Sequence, residues 1–352
     1  MLKYRVILGL VFGAIFIGLI WLDSYAAGGW PIAHWSTPPG LLIACVSLLI
    51  IPLAIREMQA LLAKENVQIS MRITVIAALL CMLWPWIEQV GDTIDQQHAV
   101  LLTSAPASHS GWYDEVPAPG STEAQRLQRI ESSPWYTVGK WFRSVKPHYL
   151  VPTILALSLV AAFIKHSRDR RVDGAMANAG GTLLAIVYLG VLPGFFLPIC
   201  MTHSAWMMLA IVAVVKSADI GAYATGRLIG KHKLIPWLSP GKTVEGFFGG
   251  LAFSAITGAG IAALMKTTGT TPIDYDRWVN ISLTLAIIGG TLSGILLGAV
   301  GQLGDLLESL LKRDAGVKDS GVVPGFGGVL DILDSPLLAA PVAYWLLKLV
   351  LR

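Results

Sequence analysis

The stretch GGTLSGILLGAVGQLGD, residues 289–305, carries the features that decide the fold class of this chain. It is part of an apolar run long enough to cross a bilayer, which takes about 20 residues of helix. Within it Gly290, Gly294 and Gly298 recur at every fourth position, a spacing that lets two helices in a membrane pack closely. The stretch ends at Asp305, so it also leads from the apolar part of the chain into a group of charged residues.

The composition of the whole chain agrees with a membrane location. Of the 352 residues, 54% are hydrophobic and 14% are charged, whereas an ordinary soluble domain has about 25% charged residues. So few charges could not cover a water-facing surface, which excludes an ordinary cytosolic enzyme, a disordered chain and a nucleic-acid-binding protein. The net charge of +4 is too small to indicate a partner. The cysteines lie in apolar runs without metal-ligand spacing, and we interpret them as buried apolar residues rather than disulfides: Cys45, Cys81 and Cys200.

The apolar runs predict an all-α, polytopic integral membrane protein with about nine transmembrane helices. The predicted spans are 6–22, 40–55, 73–87, 149–164, 182–201, 205–223, 247–265, 279–300 and 334–351. The second and third are short and could lie partly at the interface. The first could pass for a signal peptide, but we favour a retained helix because no small-residue cleavage site follows it.

The basic residues predict that the N-terminus lies in the cytoplasm and the C-terminus outside (N-in/C-out). With nine alternating spans, the inside segments carry 16 Lys and Arg residues, and the outside segments apart from one long loop carry four. We divide the chain into an N-terminal transmembrane region, 1–148, and a C-terminal transmembrane region, 149–352. The polar segment at about 88–148 is interpreted as an extracytoplasmic connector lying against the headgroups, with a binding domain as the alternative.

The acidic residues near the C-terminus are concentrated on the predicted cytoplasmic side, between the last two spans. After residue 280 there are six of them, interleaved with Lys312, Arg313 and Lys318: Asp305, Glu308, Asp314, Asp319, Asp331 and Asp334. Carboxylates suit Mg²⁺, which prefers oxygen ligands, and cations suit phosphate oxygens. The stretch therefore predicts a site for a nucleotide and a metal ion, with a solvated loop of local ion pairs as the alternative.

Two segments upstream also carry candidate residues. Asp219 lies within the sixth predicted span, where a carboxylate is costly and indicates function, although an ion pair with Lys216 would explain it structurally. The segment SPGKTVEGFFGG, 239–250, contains Gly-Lys-Thr but is not a P-loop, because the first glycine of that motif is replaced by Pro236. We interpret it as a loop whose amides and Lys242 meet phosphates at the N-terminus of the seventh span.

Three blocks of the sequence then point to one family. They are SADIGAYATGRLIGKHKLIPWLSPGKTVEGFFGG (217–250), GQLGDLLESLLKRDAGVKDSG (301–321) and PGFGGVLDILDS (324–335). Together they resemble the phosphatidate cytidylyltransferases, also called CDP-diacylglycerol synthases. The blocks cover about a fifth of the chain, and the N-terminal half is similar only in having several spans.

The third block departs from the family pattern, which usually has P-G-H-G-G followed by D-R-x-D. Here Phe326 and Ile332 stand at the histidine and arginine positions, and the stretch between Gly321 and Pro324 is one residue shorter than usual. Phe326 can neither bind phosphate nor transfer a proton, and His232 is the nearest histidine within the blocks. Since the acids and glycines remain, we interpret the chain as a divergent member rather than an inactive one.

The resemblance implies a reaction in which CTP and phosphatidate give CDP-diacylglycerol and pyrophosphate. A lipid phosphate oxygen would attack the α-phosphorus of CTP in line, with catalysis by positioning and charge neutralisation. The implied cofactor is Mg²⁺ (or Mn²⁺), with room for a second metal ion. The implied location is a bacterial-type inner membrane with the active site on the cytoplasmic face. A homodimer is compatible with the glycine-rich helices, but packing within one chain explains them equally well.

The resemblance also implies roles for individual residues. The expected metal ligands are Asp319 and Asp331, followed by Asp305, Asp219 and Asp334. The expected catalytic set is Asp319, Asp331, Lys312, Lys318 and Asp305. The expected substrate-binding residues are Ser239, Gly241, Lys242, Thr243, Arg313, Gly327 and Gly328. Glu308 is expected to orient Lys312, which lies four residues further along a helix.

Three other functions remain as alternatives at this point. One is another enzyme that uses CTP, such as a polyprenol kinase or a cytidylyltransferase acting on a different lipid phosphate. Another is a catalytically silent homologue, suggested by Phe326 and Ile332. A transporter is disfavoured, because it would place ionisable groups near the midplanes of several spans.

Overall fold

A computed structural model describes residues 2–27, 39–102, 149–168, 170, 172–268, 281–317 and 328–350; side chains are described in these ranges except at 2–12, 26–27, 89–102 and 350. In this part of the chain the helices are α1 (Leu2–Ala27), α2 (Leu41–Lys64), α3 (Met71–Leu102), α4 (Leu150–Arg168), α5 (Ala175–Ile186), α6 (Phe196–His203), α7 (Ala205–Ile229), α8 (Val244–Thr268), α9 (Leu283–Asp314) and α10 (Val329–Val350). A π-helical turn, Val187–Val191, and a short turn, Leu192–Gly194, join α5 to α6 into one broken pass.

The prediction of a polytopic helical membrane protein is confirmed. Among the described residues, eight helical passes are long and apolar enough to span a bilayer, and the α5–α6 pass counts as one of them. The described part of α1 adds a shorter apolar helix, Gly13–Tyr25. The total therefore agrees with the predicted number of about nine, and the N-in/C-out orientation continues to rest on the distribution of basic residues.

Several helices extend beyond the predicted spans, and this matters at the C-terminal end. The eighth predicted span ended at residue 300, but α9 continues to Asp314, so Asp305 and Lys312 lie on one uninterrupted helix. α10 begins at Val329, which places Asp331 in its first turn. α3 likewise continues to Leu102, into the segment predicted as a loop at 88–148; the remainder of that segment, 103–148, lies outside the described residues.

One element departs from the all-α prediction. The segment expected to be a loop before the seventh span is an antiparallel hairpin of β1 (Lys233–Ile235) and β2 (Ser239–Thr243). Its turn is closed by a hydrogen bond from the Leu238 amide to the Ile235 carbonyl, 3.2 Å long. A three-residue strand is too short for an alternating pattern to predict it. α8 begins directly after β2, so the hairpin is held at the end of a membrane helix.

The glycine row of α9 packs as the sequence predicts. A Cβ atom at Gly290 or Gly294 would come within 2.5 Å or 2.3 Å of carbonyl oxygens of α8, so only glycine allows this close approach. Further along α9, a Cβ at Gly301 would meet Val215 of α7 at 2.7 Å, and one at Gly304 would meet the Asp334 carbonyl of α10 at 2.6 Å. The row thus brings the end of α9 against both α7 and α10.

Candidate active site

Three carboxylates meet where α9 and α10 are in contact. Asp305 and Glu308 lie one turn apart on α9, and Asp334 comes from α10. One oxygen from each carboxylate lies within 4.8 Å of the others. Glu308 is only 1% exposed and Asp334 is 6% exposed. Burying carboxylates is costly unless each is paired with a cation or binds a metal.

Each of these carboxylates is paired with a lysine from a different element. Lys242 of β2 lies 2.6 Å from Asp305, and Lys312 of α9 lies 2.5 Å from Glu308. Lys216 of α7 lies 3.3 Å from Asp334. We call these six residues the carboxylate–lysine site. Each of the three carboxylates thus has a lysine partner, which lowers the cost of placing these charges among membrane helices.

Two further acids extend this network. Lys216 also lies 3.2 Å from Asp219, and the Ser335 hydroxyl donates to Asp219 at 3.1 Å. Asp331 accepts from Lys312 at 2.6 Å and from the Gly328 amide at 2.6 Å. Asp331 and Asp219 therefore lie beside the three clustered carboxylates without being members of that cluster.

The hairpin reaches the site from the side of α9. Besides the Lys242–Asp305 pair, the Arg313 Nε donates to the Leu238 carbonyl over 3.4 Å. Thr243 was predicted to shape the nucleotide loop; its hydroxyl is buried and accepts from the Gly246 amide at 3.1 Å, capping α8. On the same strand, Ser239 is half-buried and Gly241 is exposed.

Some of the predicted positions lie outside the described residues. They are Asp319, Lys318 and Gly327, together with Phe326 at the usual histidine position. His232, the nearest histidine to the missing one, is exposed on the hairpin, and its Nδ1 lies 2.6 Å from Glu245. That contact joins the hairpin to the first turn of α8 and is separate from the carboxylate–lysine site.

The sequence did not identify Glu308 or Tyr188 as members of a metal-binding environment. Glu308 was predicted only to orient Lys312, and it does contact Lys312 while also completing the three-carboxylate cluster. Tyr188 lies in the π-helical turn, an irregularity that often occurs at functional sites. Its buried hydroxyl has no hydrogen-bond partner among the described residues and interacts electrostatically with Asp305, Glu308 and Asp334. No pattern in the apolar fifth span could have singled it out.

These residues fit a divalent cation. The cluster offers three hard oxygen ligands from one face of α9 and the start of α10, which is the donor set that Mg²⁺ prefers. The buried Tyr188 hydroxyl, which has no hydrogen-bond partner among the described residues, is a polar group that a water molecule would satisfy.

Glu57 of α2 fixes the position of α10. Its carboxylate accepts from the amides of Val329 and Leu330 at 2.9 Å and 3.0 Å. These are first-turn amides that have no partner within their own helix, and a negative charge at a helix N-terminus is favourable. Glu57 was missed because the N-terminal half carries none of the motifs.

Glu57→Ala is expected to lower turnover by about tenfold, since a helix cap contributes about 0.5–2 kcal/mol and its loss frees the turn that carries Asp331. The measurement is steady-state turnover of purified protein, with its thermal midpoint recorded beside it. Glu65→Ala is the matched control, because Glu65 is an exposed carboxylate at the end of the same helix. Equal turnover of both variants would show that the cap does not position α10.

Comparison with known proteins identifies one family for nearly the whole chain and individual relatives for about half of it. The model of the cytidylyltransferase family matches residues 3–350. The phosphatidate cytidylyltransferase of Bacillus subtilis (strain 168) is 39% identical over 175 residues, which are 49% of this chain and 59% of that protein. The protein of the same name from Staphylococcus saprophyticus is 37% identical over 206 residues, covering 58% of this chain and 70% of the relative.

The aligned segments therefore span 59% and 70% of these two relatives. The family model extends through the ten helices and the hairpin of the described residues. The relatives agree with the resemblance already carried by the three motif blocks. The chain belongs to the cytidylyltransferase family.

Proposed function

We propose that this protein is a CTP:phosphatidate cytidylyltransferase that makes CDP-diacylglycerol and pyrophosphate for phospholipid synthesis. The observation that carries the proposal is the carboxylate–lysine site, in which three clustered carboxylates are each held by a lysine. The relatives named phosphatidate cytidylyltransferases support the choice of substrates. The excess of basic residues on the predicted inner side supports a cytoplasmic active site in a bacterial-type inner membrane.

The site suits this reaction because its carboxylates can bind a metal cation and its lysines can bind the phosphates of the substrates. Asp305, Glu308 and Asp334 would hold Mg²⁺, which when bound supplies charge neutralisation at the phosphates. The lysines that they release would then pair with phosphate oxygens, because ammonium groups bind phosphate as readily as carboxylate. The exchange keeps every charge compensated, so binding leaves no isolated charge in a buried site.

Besides neutralising charge, such a site would catalyse the reaction by holding the two substrates in line. A phosphate oxygen of phosphatidate forms a bond to the α-phosphorus of CTP, and the bond from that phosphorus to the bridging oxygen of the β-phosphate breaks. The electron pair leaves with pyrophosphate. Phosphate is already ionised near neutral pH, so no strong general base is required. This agrees with a site made of carboxylates and lysines.

Two of the residues first expected to bind metal lie outside the three-carboxylate cluster and have separate proposed roles. Asp331 bonds Lys312 and the Gly328 amide, so we assign it the positioning of Lys312 and of the chain that enters α10. Asp219 lies beside Lys216 and Ser335. There it would bind a second metal ion, or it would keep Lys216 paired when Asp334 binds the first metal ion. Asp319 and Lys318 remain predicted contacts of the metal and the triphosphate.

Lys242→Gln is expected to raise the KM for CTP by about tenfold and to leave the KM for phosphatidate nearly unchanged. The reason is that one charge-assisted hydrogen bond to the triphosphate is lost, worth about 1.5–3 kcal/mol. Lys231→Gln is the control, since Lys231 is an exposed cation of the same segment. A change in the KM for phosphatidate alone would assign Lys242 to the lipid phosphate instead.

The proposed reaction is tested by the position of label in CTP. Purified protein, phosphatidate and Mg²⁺ should transfer label from the α-phosphate to the lipid and none from the γ-phosphate. A polyprenol-type kinase would show the opposite pattern with a prenol acceptor. If neither α-labelled nor γ-labelled CTP gives a labelled lipid, with any of several divalent metals, the result would favour a silent homologue.

A further inference from the structure

An open cleft with apolar walls and a basic rim lies between α3 and α4, at their predicted cytoplasmic ends. The cavity has a volume of about 610 Å³. Three cations line it, Arg72 from the first turn of α3 and Lys165 and Arg168 from the last turn of α4. Apolar side chains complete the walls, among them Ile73 and Ile164. None of these residues belongs to the carboxylate–lysine site.

Within the described residues, the positive charge of the cleft is not compensated. Arg72, Lys165 and Arg168 are exposed, and none has an acidic partner within the part of the chain that the structure describes. The first turn of α3 adds amides that lack partners within their helix and carry partial positive charge. Such a group of cations favours an anion, and phosphate oxygens are well matched to it.

A small polar pocket adjoins the cleft and shares Lys165 with it. The pocket has a volume of about 20 Å³ and is partly walled by His166, which is 8% exposed. The Gln68 amide donates to Asn178 Oδ1 at 2.6 Å, so the Asn178 Nδ2 is the atom that faces the ring, 2.9 Å from His166 Nδ1. Nδ1 therefore accepts, and the proton of the neutral ring lies on Nε2. That Nε2 is buried without a hydrogen-bond partner among the described residues, and the pocket has room for one water to accept from it.

The apolar part of the cleft continues along the membrane-facing sides of both helices. From Ile73 on α3 and Ile164 on α4, exposed apolar side chains follow at helical spacing, three or four and seven residues away. They are Ile76, Leu80, Leu157 and Val160, which are 50% to 63% exposed. In a membrane span such a surface faces acyl chains.

We propose that this cleft binds an anionic glycerophospholipid. The phosphate of the headgroup pairs with Arg72, Lys165 and Arg168, and the acyl chains lie along α3 and α4. A free phosphate would satisfy the cations but would leave the apolar extension uncovered. The site is separate from the proposed reaction and does not depend on it.

Native mass spectrometry of the purified full chain in detergent tests the proposal, with phosphatidylglycerol as the probe. The wild-type protein should retain one phosphatidylglycerol molecule with preference over phosphatidylcholine, and excess inorganic phosphate should not displace it. Arg72→Gln combined with Lys165→Gln should weaken this retention by at least about tenfold, because two charge-assisted contacts are lost. The control Lys64→Gln removes an exposed cation from the last turn of α2 and should retain the lipid.

One further variant locates the lipid. Asp334→Asn should retain the lipid because it alters only the carboxylate–lysine site. Unchanged binding in the Arg72 and Lys165 variant with a native thermal midpoint would overturn the proposal. So would loss of the lipid in Asp334→Asn alone, or its displacement by inorganic phosphate. If the double variant does not fold, Lys165→Gln is tested alone. Weaker retention of the lipid would then support the proposal, and unchanged retention would overturn it.

Discussion

Asp334→Asn is expected to lower turnover by at least about a hundredfold, because removing one preorganised charged group from a buried reaction site typically costs that much. The asparagine keeps the shape of the side chain, but it removes one of three clustered carboxylates and one of the two carboxylate partners of Lys216. The dependence on Mg²⁺ should shift with it, so that a higher concentration is needed for half-maximal rate. Steady-state turnover across a Mg²⁺ titration measures both effects.

The control for this variant is Asp173→Asn, at an exposed aspartate between α4 and α5. It should keep the wild-type rate and the wild-type Mg²⁺ dependence. A reduced rate in Asp334→Asn with an unchanged Mg²⁺ dependence would remove Asp334 from the metal site and leave it as a partner of Lys216. A rate close to that of the wild type would contradict the carboxylate–lysine site as the catalytic centre.

Gly304→Ala is the second change with a large expected effect. The added Cβ would lie 2.6 Å from the Asp334 carbonyl oxygen and 3.2 Å from the Ser335 Cα, so α9 and α10 must move apart. Overpacking of this kind costs about 1–3 kcal/mol, and it separates the helices that carry the three carboxylates. We expect turnover to fall by at least about tenfold and the thermal midpoint to fall as well.

Gly289→Ala on the same helix is the matched control, since no atom lies within 4 Å of the Cβ position there. It should keep full activity and leave the thermal midpoint unchanged or slightly higher, because alanine is the better helix former by about 0.5–1 kcal/mol. Equal behaviour of the two variants would show that the contact between α9 and α10 does not set the geometry of the site.

Much of the fold follows from the sequence because membrane spans are specified locally. A helix in lipid satisfies its own backbone hydrogen bonds, so apolar length alone predicts most passes. The row Gly290, Gly294 and Gly298 likewise predicts a close helix contact, and the structure assigns that contact to α8. The hairpin was missed because its strands, with only three and five residues, are too short to show a period.

The candidate site was predictable only within single helices. The spacing of Asp305, Glu308 and Lys312 on one face follows from helical geometry, and the structure bears it out. Lys216 contacts Asp334, which lies 118 residues further along the chain. This contact depends on how α7 packs against α10, and no local sequence pattern predicts it. Tyr188 and Glu57 come from spans outside the motifs. Their positions also depend on helix packing, so the sequence did not predict them.

We propose that the carboxylate–lysine site joins CMP to a lipid phosphate with the help of a divalent metal. This is measured by the mass of the lipid formed when purified protein is given CTP and phosphatidate, with Mg²⁺ or with a chelator. We expect CDP-diacylglycerol and an equal amount of pyrophosphate with Mg²⁺, and neither with the chelator. A lipid product without the cytidine group, or the same yield of CDP-diacylglycerol in the presence of the chelator, would overturn the proposal.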